Sequence, residues 1–182
     1  EDNEKLIFEG EYINGIKNGK GIQYYENGKI QFEGEYNYGK KWNGKGYSNK
    51  GEETLEIKDG KGKGKEYHYN GILEFEGEYI NGERNGKAKE YNKYDGKIAF
   101  EGEYLNGKRI GKGKIYNCNG KLLFEVGFLD GLKNGKGIEY FEDGKIAFEG
   151  EYLNGRRNGK GKEYNIGRFI FGGGRLIFEG EY

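Results

Sequence analysis

His68 and Cys118 are each the only residue of their kind in this chain, and Ser48 and Thr54 are equally solitary. A Cys–His nucleophilic pair would require residues from distant parts of the chain to converge. One histidine and one cysteine also fall short of a zinc ligand set. Paired carboxylates are more plentiful, as in Glu9 with Glu11 and Glu101 with Glu103, and two carboxylates are what glycoside hydrolysis needs. Here the pairs recur along the chain, so they read instead as one side of a cross-strand charge ladder whose other side is lysine. The run Gly60-Lys61-Gly62-Lys63-Gly64 resembles a phosphate cradle in composition, yet it lacks the Gly-Lys-Ser/Thr ending. No catalytic residue, no metal site and no cofactor are therefore expected.

Aromatic rings are the remaining candidates, at 16% of residues. Regularly spaced rings form a core, stack on a ligand or grip a partner. Phenylalanine at the head of each FEGEY pentapeptide suits the core. The tyrosines that follow each GKG-like run, Tyr24, Tyr67, Tyr91, Tyr116, Tyr140 and Tyr164, carry a hydroxyl that tolerates water and are the candidate partner-binding strip.

These residues are positioned by a repeat. FEGEY begins at Phe8, Phe32, Phe75, Phe100, Phe148 and Phe178, and a variant, FEVGF, begins at Phe124. Most of the steps are 24 or 25 residues. Between Phe32 and Phe75 an eroded copy falls near Gly51-Glu52-Glu53-Thr54-Leu55. That gives one repeat domain over 1–182, with about seven repeats, a final strand and an insertion at 167–174. Leu6, Phe8, Gly10 and Tyr12 alternate with glutamate at the period of a half-buried strand. Asn-Gly and Asp-Gly pairs flank the strands on both sides, as at Asn14-Gly15 and Asn27-Gly28, and favour tight hairpin turns. The paired glycines of GKG in the second strand imply rings lying on bare backbone. In FEVGF, Val126 replaces the central glycine, so a bulge or a displaced ring is expected there.

Lys plus Arg equals Asp plus Glu at 31 each, with the signs interleaved. Such a surface lacks the basic stripe of a nucleic-acid groove, and it exerts no broad pull on anionic membranes. The lone cysteine carries no mark of an oxidising compartment, which sets the cytoplasm slightly ahead. Absence of methionine, even at position 1, reads as a processed or excised piece of a longer chain.

The aromatic-x-Gly-x-aromatic strand, the glycine after a short turn and the Gly-x-Gly of the second strand resemble the MORN (membrane occupation and recognition nexus) repeat. In one unit the marks fall on Phe100, Gly102, Tyr104, Gly107, Gly111 and Gly113. Tyrosine stands where the family has tryptophan, as at Tyr12 and Tyr152. Asparagine precedes Gly-x-Gly at Asn18, Asn85, Asn134 and Asn158, which is closer to the MORN variant of bacteria and protists. The resemblance implies an all-β fold: an elongated, twisted single sheet of tandem antiparallel β-hairpins, on the order of 70 Å long at the usual strand spacing. It also implies a non-enzymatic scaffold that binds proteins, with membrane lipid as a weaker inherited partner. The rival expectation is a self-assembling filament or surface protein. Phe178, Glu179, Gly180, Glu181 and Tyr182 form the expected self-association edge, through a two-fold dimer or a head-to-tail fibre.

Overall fold

A computed structural model describes residues 4–165 and 175–182. The fifteen strands are β1 (Phe8–Ile13), β2 (Ile16–Tyr24), β3 (Ile30–Asn37), β4 (Lys40–Tyr47), β5 (Glu53–Lys58), β6 (Lys61–Tyr67), β7 (Leu73–Ile80), β8 (Glu83–Tyr91), β9 (Ile98–Leu105), β10 (Lys108–Tyr116), β11 (Leu122–Leu129), β12 (Leu132–Tyr140), β13 (Ile146–Leu153), β14 (Arg156–Asn165) and β15 (Arg175–Glu181). Strand order in the sheet is the order of the sequence, and the pairing is antiparallel. No helix interrupts it among the described residues. Contacts divide the chain into one unit of Glu1–Gly96 with Leu105–Gly107 and another of Lys97–Tyr104 with Lys108–Tyr182. The insertion at 167–174 lies outside the described residues.

The two turns of each repeat differ. Ile13 pairs with Ile16 across Asn14-Gly15, and both turn residues have positive φ, 51° and 77°, the signature of a type I′ hairpin turn. Asn81, Asn106 and Asn154 repeat this conformation, and Tyr38 adopts it at 47° despite its bulk. On the other side the Asn-Gly signal marks a longer loop. In the first repeat Tyr25 N–H donates to Lys29 C=O and Gly28 N–H donates to Tyr25 C=O. Gly28 alone takes positive φ there, while the Asn27 side chain accepts from Lys29 N–H.

The two glycines of GKG also do different things. In the last repeat Gly159 sits at the register shift with φ +72°, whereas Gly161 lies under the Phe148 ring, where an added Cβ would stand 2.6 Å from Cε2. In that repeat only the second glycine bears a ring. Within the first unit Phe32 and Phe75 are fully buried, and within the second Phe100 and Phe148 are, each with a buried tyrosine four residues on. Ring contacts are edge-on, as between Phe148 and Tyr152 at 5.7 Å. The eroded copy is a hairpin of its own, β5 with β6, in which buried Leu55 and Ile57 stand opposite Gly64 and Gly62.

The variant repeat departs from expectation in one respect and fits it in another. A register shift does fall between Val126 and Phe128, but the same shift falls between Gly150 and Tyr152, so valine did not create it. Val126 is buried against Gly137, and Phe124 is left half-buried where Phe100 and Phe148 are fully enclosed.

Candidate functional site

Period-two alternation gives each hairpin two unlike faces. On one face lie the glutamates of FEGEY, the lysines of the second strands and the tyrosines after GKG. All six tyrosines are half-buried. Five of them donate their hydroxyl to the first glutamate of the pentapeptide fifteen residues earlier: Tyr24 to Glu9 at 3.3 Å, Tyr91 to Glu76 at 3.0 Å, Tyr116 to Glu101 at 2.8 Å, Tyr140 to Glu125 at 2.9 Å and Tyr164 to Glu149 at 3.0 Å. Tyr67 makes no such bond, because β5 begins only at Glu53 and pairs with β6 no further than Leu55. Burial and the Glu101 hydrogen bond push the Tyr116 phenol up to about 12. The glutamates also meet lysines across the strands, Lys114 with Glu125 at 3.1 Å and Lys162 with Glu179 at 3.2 Å, as a charge ladder requires.

The opposite face carries a pattern that the sequence reading did not single out. In several hairpins the second residue after the tight turn is a cation that lies over the phenylalanine of the same hairpin: Lys17 over Phe8 at 4.1 Å, Arg84 over Phe75 at 4.1 Å, Lys133 over Phe124 at 4.0 Å and Arg157 over Phe148 at 4.2 Å. With no second layer over the rings in these hairpins, the cation stems help to cover them. The residue just before the GKG-following tyrosine is a carboxylate in several copies, and there it receives the cation. Arg157 donates from Nε and Nη2 to Glu139, both at 3.0 Å, and from Nη1 to Glu163 at 2.7 Å. Tyr152 donates its hydroxyl to Glu139 as well. In the first unit Glu66 takes Lys41 at 2.5 Å and Arg84 at 3.3 Å. Burial alone would raise the Glu66 carboxyl, but Lys41 and Arg84 overcome it and hold the group at about 2. The available signal was the recurrence of Lys or Arg after the turn and of Glu at 66, 90, 139 and 163.

The other sequence candidates fall in scattered places. Residues 178–181 belong to β15 and Tyr182 follows it, with β15 paired to β14 by Gly180 with Gly161 and Glu179 with Lys162; Phe178 and Tyr182 are 38% and 43% exposed. His68 opens a loop and stacks on Tyr69 at 3.9 Å between ring centroids. Cys118 is an exposed residue of another loop. The Gly60–Gly64 run supplies a turn and most of β6, with extended backbone in place of a phosphate-binding loop. Among the described residues no three His, Cys, Asp or Glu side chains are grouped to hold a metal.

The profile of the MORN repeat matches residues 8–30, 75–96, 100–121 and 148–167, and that of the MORN repeat variant matches 61–81 and 133–154. No curated protein matches the chain. Together the matched segments cover more than half of the sequence, and each contains the ring, glycine and turn positions described above. The chain belongs to the MORN repeat family, whose members are generally non-catalytic and serve as repeat-based binding or scaffold proteins.

Proposed function

We propose that this chain is a non-enzymatic scaffold that binds a protein partner along its tyrosine column, Tyr24, Tyr67, Tyr91, Tyr116, Tyr140 and Tyr164. The observation that carries the reading is the recurrent hydroxyl bond to glutamate, made by five of the six. Each bond fixes a large amphipathic ring before any partner arrives, which lowers the ordering cost of association. The interleaved charges beside the rings would set orientation and on-rate more than affinity.

A photo-reactive phenylalanine analogue at position 116 tests this. A saturable cross-link to one protein, competed by unlabelled chain and lost on Tyr91→Ala with Tyr140→Ala, is the expected result. Labelling that excess unlabelled chain fails to compete would remove the reading. Fibres sedimenting at low micromolar concentration would instead support a self-assembling structural protein, with residues 178–182 as its pairing edge.

A further inference from the structure

The cation column on the ring face meets a carboxylate in some repeats and not in others: Lys17 donates to the neutral Gln23 at 3.2 Å. Glu66 stands opposite Phe75, and Arg84 reaches over that ring to it. Glu139 stands opposite Phe148, and Arg157 reaches over that ring to it. Ile115, which has no acceptor, stands opposite Phe124, and Lys133 lies over that ring. Among the described residues Lys133 has no carboxylate within ion-pair distance. The nearest candidate, Glu139, is occupied by Arg157 and Tyr152. Lys133 is instead held between the Phe124 ring at 4.0 Å and the Tyr152 ring at 4.9 Å. Burial keeps its ammonium below the usual lysine range, with Glu139 partly offsetting this and Arg157 adding to it. Phe124 is also half-buried here, while Val126 takes the place over Gly137, so an apolar ring edge lies beside the unpaired cation.

We propose that the gap formed by Ile115, Phe124 and Lys133 is a docking point for an acidic segment of a protein partner, one carboxylate side chain of which takes the place that Glu66 and Glu139 fill in their own repeats. The partner carboxylate accepts from Lys133 Nζ, and an apolar neighbour in the segment covers Phe124. A half-buried cation already stripped of part of its hydration gains more from a carboxylate than an exposed lysine does. The site lies on the face opposite the tyrosine column and does not depend on it.

The test uses the full chain and a ten-residue peptide of alternating Glu and Leu, with the Gln–Leu peptide as control, followed by the Ile115 methyl and Lys133 side-chain NMR signals. The glutamate peptide should shift both signals and the glutamine peptide neither. Ile115→Glu supplies the missing carboxylate within the chain, so it should weaken peptide binding at least tenfold and raise the Lys133 pKa; Lys133→Gln should weaken binding similarly. Equal shifts with both peptides, or glutamate-peptide binding unchanged in Lys133→Gln, would overturn the proposal. Loss of binding on Tyr116→Ala with Ile115 and Lys133 signals unmoved would place the peptide on the tyrosine column and overturn it too.

Discussion

Phe148 shows how a single side chain holds a hairpin together without a second layer behind it. Its ring is fully buried, lies on Gly150 and Gly161 and is capped by Arg157. Phe148→Ala should cost about 3 to 5 kcal/mol, because glycine neighbours offer no side chain to collapse into the space. Urea unfolding of the variant measures this, and a loss under about 1 kcal/mol would mean that Arg157 and Tyr152 refill the site. Tyr116 makes the complementary point on the other face. Its phenol, pushed up to about 12 by burial and Glu101, should fall back toward the ordinary tyrosine value of about 10 in Glu101→Gln, as read by NMR titration of labelled tyrosine. A phenol unmoved by that substitution would show that burial alone raises it. Tyr116→Phe, which loses one half-exposed hydrogen bond, should cost only about 0.5 to 1.5 kcal/mol.

At the scale of the strand and turn, much was legible from the sequence because the signals are local. Alternation set the strands, Asn-Gly set the I′ turns at Asn14, Asn81, Asn106 and Asn154, and FEGEY spacing set the period. The longer loops after Tyr24 and its equivalents were misread as tight turns because Asn-Gly serves both geometries, and only the backbone bonds from Tyr25 tell them apart. The cation column was missed because Arg157 reaches Glu139 on the preceding hairpin, a pairing no spacing within one strand reveals, although its bond to Glu163 six residues on in β14 follows a spacing the sequence does contain. The two glycines of GKG give a sharp test of the revised account. Gly135 has φ +78° and open space where a Cβ would go, so Gly135→Ala should cost only the conformational strain, about 1 to 2 kcal/mol. At Gly161 a Cβ would stand within 3 Å of the Phe148 ring, so Gly161→Ala should cost more and move the ring. Equal losses at the two positions, measured by denaturant midpoint, would contradict the division of labour between bulge and ring seat.

Within each unit, hairpins contact their neighbours in sequence, so stability is a sum of local terms rather than one core. The ring-face carboxylates are unevenly distributed along that series: Glu66 and Glu139 are present, whereas Gln23 and Ile115 are neutral at the same position. Burial opposes ionisation of both carboxylates, yet their cationic partners hold both below the usual range, Glu66 at about 2. A carboxyl whose folded pKa is depressed contributes stability that is fully present above its unfolded value and is lost as pH falls through the folded one. For Glu66 that window runs from about 4.5 down to about 2. Acid should therefore loosen β6–β8 and β12–β14 first, because protonation leaves Arg84 and Arg157 facing neutral partners, while β2 and β10 have no such group to lose. Hydrogen exchange at pH 3 and pH 6, corrected for the intrinsic rate at each pH, reads this strand by strand. Glu66→Gln should be less stable than the parent at pH 6 and closer to it at pH 3, since the substitution removes the increment that acid would otherwise remove. Uniform loss of protection along the chain, or an undiminished gap between parent and variant at pH 3, would show that the ring-face ion pairs do not set acid stability.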